Sequence, residues 1–259
     1  MFFIDVQGTL IEDNTKLPTR GAIAFINHLN TYRIPYMVIT NSTKNPSEEF
    51  LGYLNSIGLH IPQSHYLDPL MLLEAHIAKS EKIAAYGSEA FLNVVRKMGY
   101  TLDYASPDTV LIAIKENFDH DEYSQIIEFL LGGAKLIGMH ETTLYVKNHK
   151  RYPGVGAILK MLEFATSTPY TVVGKPSVPF FTEALRRLNL QKEGIDFADI
   201  TIISDDVKGD LIGAQSLGMK GVFVLSGKYR HADEIIPALR EKDRPTAIYA
   251  DMQEILESL

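Results

Sequence analysis

The sequence predicts an α/β protein built on a doubly wound parallel sheet, with a second α/β unit inserted into it. Short runs at 2–6 (FFIDV), 35–40 (PYMVIT), 170–174 (YTVVG), 201–205 (TIISD) and 221–225 (GVFVL) are apolar almost throughout rather than alternating, as strands covered on both faces are. Segments of helical period lie between them, and strand–helix alternation of this kind builds a parallel sheet. With 46% hydrophobic and 22% charged residues in 259, the chain can form a sizeable core.

The elements follow in order. FFIDV ends in Asp5 and runs into a turn holding Gly8 and Thr9. Residues 20–30 place Ile23, Ile26 and Leu29 on one helical stripe, and PYMVIT then ends at Thr40-Asn41. The middle has its own alternation: KIAAYG (82–87), a helix over 88–99, TVLIAI (109–114), a helix near 122–133, KLIGM (135–139) and TLYVK (143–147). PGVG (153–156) lacks the rest of a dinucleotide-binding fingerprint and reads as a turn opening the last helix of this unit. YTVVG ends at Gly174-Lys175, residues 179–190 put Phe181, Leu185 and Leu188 on one stripe, and TIISD ends at Asp205-Asp206. The expected division is a core of 1–77 and 173–259 with an inserted unit of 78–172.

Composition excludes several classes of function. A net charge of −7 argues against a nucleic-acid or anionic-membrane surface. The absence of cysteine removes disulfides, thiolate nucleophiles and Cys-based zinc sites. The stretch before Asp5 is too short for a signal peptide, and no apolar run reaches the length of a bilayer span. The expectation is a soluble, cytoplasmic protein.

Sites in such sheets form at the carboxyl ends of the strands, and four of the runs end in residues able to do chemistry. A carboxylate such as Asp5 can attack phosphorus and form an aspartyl-phosphate, splitting one hard step into two. Gly8 lets the backbone pass close to a phosphate, although an Asp closing a strand before a turn is the plainer alternative. Thr40, Asn41 and Ser42 offer a hydroxyl and backbone N–H groups to phosphoryl oxygens, or they form a polar turn. Lys175 is placed to neutralise phosphoryl charge. SDDVKGD (204–210) supplies carboxylates at Asp205, Asp206 and Asp210, hard ligands that suit Mg²⁺. Asp205 is the expected ligand, and Asp210 the expected partner of metal-bound waters or of Lys175.

In order and content, these four segments resemble the haloacid dehalogenase superfamily of phosphohydrolases along most of the chain. The insertion between Thr40 and Lys175 is where that family carries its type II cap. VVGKPSVPFF and ISDDVKGDLIGAQSLGMKGVFVLSGKYR are similar to the type IIA, 4-nitrophenyl phosphatase-like subfamily. GAQSLGM…SGKYR, with IGMH in the insertion, most resembles the branch containing the phospholysine phosphohistidine inorganic pyrophosphate phosphatase. The resemblance implies a Rossmann-like catalytic core, Asp5 as nucleophile and Mg²⁺ ligand, and Thr40 and Asn41 as phosphate binders. It also implies Lys175 as charge clamp, Asp205 as metal ligand, a small phosphorylated substrate, and a homodimer formed through the cap.

The departure is Gln7. In the family the residue two beyond the nucleophile gives the metal its backbone carbonyl, which Gln7 can do. That residue is also usually an Asp that protonates the leaving group and then deprotonates water, which an amide cannot do. Losing a general acid–base costs about 10²–10⁴ in rate, and the loss falls least on leaving groups that depart without a proton. The expected activity is therefore a Mg²⁺-dependent phosphohydrolase favouring activated leaving groups. The alternative is a weak or inactive phosphate sensor on the same scaffold. Retained Asp205 and Asp210 argue against dehalogenation, which needs no metal, and Gln7 argues against a phosphomutase. His140, with Glu141, Lys147, His149, Lys150 and Arg151 nearby in sequence, is a candidate substrate contact and a source of the missing proton transfer, or a surface or capping histidine.

Overall fold

A computed structural model describes residues 1–147 and 150–259, so His149 lies outside the described residues. The chain begins with β1 (Phe2–Asp5), α1 (Ala22–Thr31), β2 (Tyr36–Ile39), α2 (Ser47–Ser56) and β3 (Tyr66–Leu67). It continues through α3 (Pro69–His76), β4 (Lys82–Tyr86), α4 (Glu89–Lys97), β5 (Thr101–Leu102), β6 (Thr109–Ile112), α5 (His120–Leu131) and β7 (Lys135–Gly138). A hairpin of β8 (Leu144–Lys147) and β9 (Lys150–Pro153) leads to α6 (Val155–Thr166) and β10 (Tyr170–Val172). The remainder is α7 (Val178–Asn189), β11 (Thr201–Ser204), α8 (Ile212–Ser216), β12 (Lys220–Val224), β13 (Ala247–Tyr249) and α9 (Met252–Glu257). Among the described residues no helix is long and apolar enough to cross a membrane.

These elements form two compact units. One holds 1–40, 48–67 and 181–259; the other holds 41–47 and 68–180. The first unit is a parallel sheet in the order β13-β12-β11-β1-β2-β3. Its central strands are buried on both faces, which is why Phe3, Ile4, Met37, Val38, Ile202 and Ile203 can all be apolar without alternating. Phe3 stacks on Phe181 of α7 at 6.3 Å between ring centroids, and Phe2 meets Phe25 of α1 edge-on at 5.6 Å. From β1 the chain steps outward to β2 and β3. It returns at β11 on the other flank of β1 and steps outward again through β12 and β13. The carboxyl ends of β1 and β11 therefore flank the point where strand order reverses, which is where open α/β sheets form a crevice.

The second unit is a parallel sheet in the order β10-β7-β6-β4-β5, with the β8–β9 hairpin beside it in sequence. Three of its helices, α3, α4 and α5, start on side-chain caps. Asp68 accepts N–H bonds from Leu70 and Met71 ahead of α3, Ser88 caps α4, and Asp119 forms a capping box with Glu122 at α5. Each cap contributes about 1 kcal/mol.

The segment 170–174, read from sequence as a strand of the first sheet, pairs with β7 instead, Tyr170 opposite Leu136 and Val172 opposite Gly138. An apolar parallel strand has the same composition in either sheet, and only the partner edge distinguishes them. The first sheet takes β3 and β13 as its edges, strands of two and three residues that carry no readable period. On α1 the buried set is Ala22, Phe25, Ile26 and Leu29, while Ile23 is 37% exposed.

Candidate active site

The first unit brings Asp5, Gln7, Thr40 and Asp205 together at the switch point. Asp5 closes β1 and Asp205 follows β11, and both carboxylates are buried. Thr9 links them: its hydroxyl accepts the main-chain N–H of Asp205 at 3.2 Å and donates to Asp5 Oδ2 at 3.4 Å. The turn after β1 is held by its own backbone, with Leu10 and Ile11 both donating to the Val6 carbonyl. Gly8 has φ +73°, and a Cβ there would fall 2.1 Å from Asp205 Oδ2.

A loop that the sequence reading left without a role completes this cradle. After β12, the Lys228 N–H donates to Asp205 Oδ2 at 2.7 Å, and the Ser226 hydroxyl donates to the Gly8 carbonyl at 2.7 Å. A Cβ on Gly227 would fall 2.0 Å from Asp205 Oδ2 and 2.5 Å from Gly8 Cα. The signal was present in the sequence, because GVFVL is another parallel strand and Ser-Gly-Lys stands at its carboxyl end. Lys228 also pairs through Nζ with Asp206 at 2.9 Å. Burial lowers the ammonium pKa, but Asp206, Tyr229 and Asp205 together outweigh it and the pKa is raised.

Asp206 accepts the Gly209 N–H at the start of the helical turn Val207–Leu211, so it works as a cap. Ser204 donates its hydroxyl to Asp210 Oδ2 at 2.7 Å and accepts the Asp206 N–H at 3.1 Å. Thr40, fully buried at the end of β2, fixes its N–H on the Leu67 carbonyl and donates its hydroxyl to Gln7 Oε1 at 2.8 Å.

The second unit brings Asn41, His140 and Lys175 together. Gly138 and Val172 are opposed on β7 and β10, so His140 and Lys175 emerge two and three residues later from one sheet edge. The Lys175 side chain is buried. The Asn41 amide holds the main chain there, accepting from Lys175 N at 2.8 Å and donating to Lys175 O at 3.3 Å. Its side chain thus positions the Lys175 backbone, a contact that a phosphate-binding role alone does not call for. His140 is buried, with Nδ1 3.0 Å from the Thr142 hydroxyl. Burial, and then the positive charge of Lys175, lower its pKa to about 4.

The residues of the first unit fit a divalent cation. Burial pushes the Asp205 carboxyl well above the usual range, and the charge of Asp5 pushes it further. Two buried carboxylates that disfavour each other's ionisation are relieved by a cation between them. No group of three or more His, Cys, Asp or Glu is placed for a metal among the described residues. Mg²⁺ takes one or two carboxylates and completes its shell with water and phosphate.

Comparison with known proteins assigns the family. Residues 2–101 match the model of haloacid dehalogenase-like hydrolases, and 172–255 match a second model described as HAD-hydrolase-like. The chain is 31% identical over 242 residues to haloacid dehalogenase-like hydrolase domain-containing protein 2 of Bos taurus, covering 89% of this chain and 86% of the relative. The chain belongs to the haloacid dehalogenase-like hydrolases. Within this family it is 30% identical over 228 residues to the phospholysine phosphohistidine inorganic pyrophosphate phosphatase of Danio rerio, covering 85% of this chain and 80% of that one. The p-nitrophenyl phosphatase from Archaeoglobus fulgidus shares the fold, with a TM-score of 0.80 at 20% identity over 100% of this chain and 98% of its own. These relatives place the chain in the type IIA group of the haloacid dehalogenase-like hydrolases.

Proposed function

We propose that this haloacid dehalogenase-like phosphatase is Mg²⁺-dependent and acts on a small phosphorylated compound through an aspartyl-phosphate on Asp5. The observation that carries the reading is the pair of buried carboxylates, Asp5 and Asp205, at the sheet's switch point, with the Gly8 and Gly227 turns closed around Asp205. Asp5, the Gln7 main-chain carbonyl and Asp205 would hold Mg²⁺. When bound, the ion supplies positive charge to the phosphoryl oxygens and keeps both carboxylates ionised.

An Asp5 oxygen attacks phosphorus, the bond from phosphorus to the leaving oxygen breaks, and the electron pair departs with the leaving group. Water then attacks phosphorus, the bond to Asp5 breaks, and phosphate is released. We assign the Thr40 hydroxyl region to the phosphoryl group and Lys175 to its charge, as the family resemblance implies. Gln7 has no carboxyl proton to give, so substrates whose leaving group departs as a stable anion are favoured. Aryl phosphates, acyl phosphates and phosphoric anhydrides meet that condition, and alkyl esters do not. A neutral, buried His140 has no readily lost proton at pH 7, so we leave it as a neighbour of Lys175 and not as the substitute acid.

The test is Mg²⁺-dependent phosphate release from 4-nitrophenyl phosphate and from an alkyl phosphate. The expected result is release from the aryl ester at a higher rate than from the alkyl ester, abolished in Asp5→Asn. Faster turnover of the alkyl ester would defeat the leaving-group argument. Mg²⁺-dependent phosphate binding without release would identify a sensor.

A further inference from the structure

Gln7 sits in the turn after β1, two residues beyond Asp5, and its side chain is held at one end only. The Thr40 hydroxyl donates to Oε1 at 2.8 Å, while Nε2 has no hydrogen-bond partner among the described residues. Both anchors of this contact are rigid. Thr40 is fully buried with its N–H on Leu67, and the Gln7 backbone lies inside the turn pinned by Leu10 and Ile11 on Val6. Donation from Thr40 to the carbonyl end leaves both N–H donors of Nε2 available. It also leaves Oε1 with one lone pair for another donor.

Building on the aspartyl-phosphate reading above, we propose that Gln7 is a working amide in both half-reactions and more than the absence of an acid. In the first, Nε2–H donates to the leaving-group oxygen as negative charge gathers there. The bond from Asp5 to phosphorus forms, the bond to the leaving oxygen breaks, and the electron pair stays on that oxygen, which takes its proton from solvent. In the second, the free lone pair of Oε1 accepts a hydrogen bond from water and orients it toward phosphorus. The water oxygen bonds to phosphorus as the bond from Asp5 breaks, the electron pair of that bond returns to the carboxylate, and the water proton passes to a phosphate oxygen. A side-chain amide that orients water without deprotonating it is an established solution in phosphoryl transfer. A preorganised donor at a developing anion is a large electrostatic term. Thr40 is the positioning residue that keeps the amide in this orientation.

The experiment is a rate series on aryl phosphates running from dinitrophenyl to unsubstituted phenyl, with Mg²⁺. It compares wild type, Gln7→Asp, Gln7→Leu and Gln7→Met, with Asp5→Asn as blank and a thermal melt of each. In wild type the rate should fall steeply as the leaving group becomes more basic, and Gln7→Asp should flatten that slope by supplying a proton. Gln7→Leu and Gln7→Met should lose about 10²-fold even on the dinitrophenyl ester. They should also show a burst of dinitrophenol equal to the enzyme present, as unoriented water slows the second step. Gln7→Met preserves the unbranched stem, so loss in both variants with unchanged melting isolates the amide. If either apolar variant, folded, matches wild type on the dinitrophenyl ester without a burst, the amide assignment is wrong while the phosphatase reading stands. Wild-type rates no higher than Asp5→Asn would defeat the phosphatase reading, and the amide assignment with it.

Discussion

His140 is buried beside Lys175, and both effects disfavour its charged form, so in the folded protein the imidazole stays neutral down to about pH 4. The unfolded chain takes up that proton near pH 6.5. Below that value the unfolded state binds more protons than the folded state, so stability falls as pH falls and recovers as pH rises. Through this side chain alone the protein should lose on the order of 2 kcal/mol between pH 7 and pH 5. Urea denaturation of wild type and His140→Gln at the two pH values checks this. The variant should lose less stability on acidification, and an equal loss would mean that His140 does not set the slope. The residue type was legible in the sequence, but the neutral state depends on burial and on Lys175, which the fold brings close from a neighbouring strand. Asn41 was legible as a strand-end polar group in the same limited way. Its hold on the Lys175 backbone joins residues 134 positions apart.

At the scale of elements, the site is made by turns that follow parallel strands, and two of these turns touch. Gly8 after β1 and Gly227 after β12 approach until a Cβ on Gly227 would lie 2.5 Å from Gly8 Cα and 2.0 Å from Asp205 Oδ2. One obstacle is backbone and the other is a buried carboxylate, so neither can move aside cheaply. Gly227→Ala should therefore displace the loop, remove the Lys228 N–H from Asp205, and cost about 1–3 kcal/mol. Its Mg²⁺ affinity should fall at least about tenfold, the loss expected when the support of a metal ligand is removed. Thermal melts and calorimetric titration with Mg²⁺ measure both effects, and wild-type values in the variant would show that the close approach is not needed. Asp5, Thr40 and Asp205 were readable because an apolar run that ends in a polar residue reports a strand's carboxyl end. The β12 loop was harder to read because its contribution is backbone, one N–H and the absence of a side chain. The short strands β3 and β13 were unreadable for a different reason: two or three residues cannot display a period.

At the scale of the whole molecule, the chain forms one unit from three separated segments, 1–40, 48–67 and 181–259, and both buried carboxylates lie in that unit. Burial, and then the charge of Asp5, disfavour an ionised Asp205, so on the metal reading proposed above a cation should stabilise the first unit. Mg²⁺ at a hundredfold excess over its dissociation constant should add about 2.7 kcal/mol to the state that binds it. That gain belongs to the strands and turns holding the carboxylates. Hydrogen exchange with and without Mg²⁺ should show added protection in β1, β11 and the turns carrying Gly8 and Gly227. Protection in β4, β6 and β7 should not change. Asp205→Asn should raise stability without metal by removing a carboxyl whose ionised form burial and Asp5 disfavour, and should abolish the Mg²⁺-dependent protection. Added protection spread evenly over both sheets, or surviving in Asp205→Asn, would place the cation elsewhere and separate the metal assignment from the carboxylate pair.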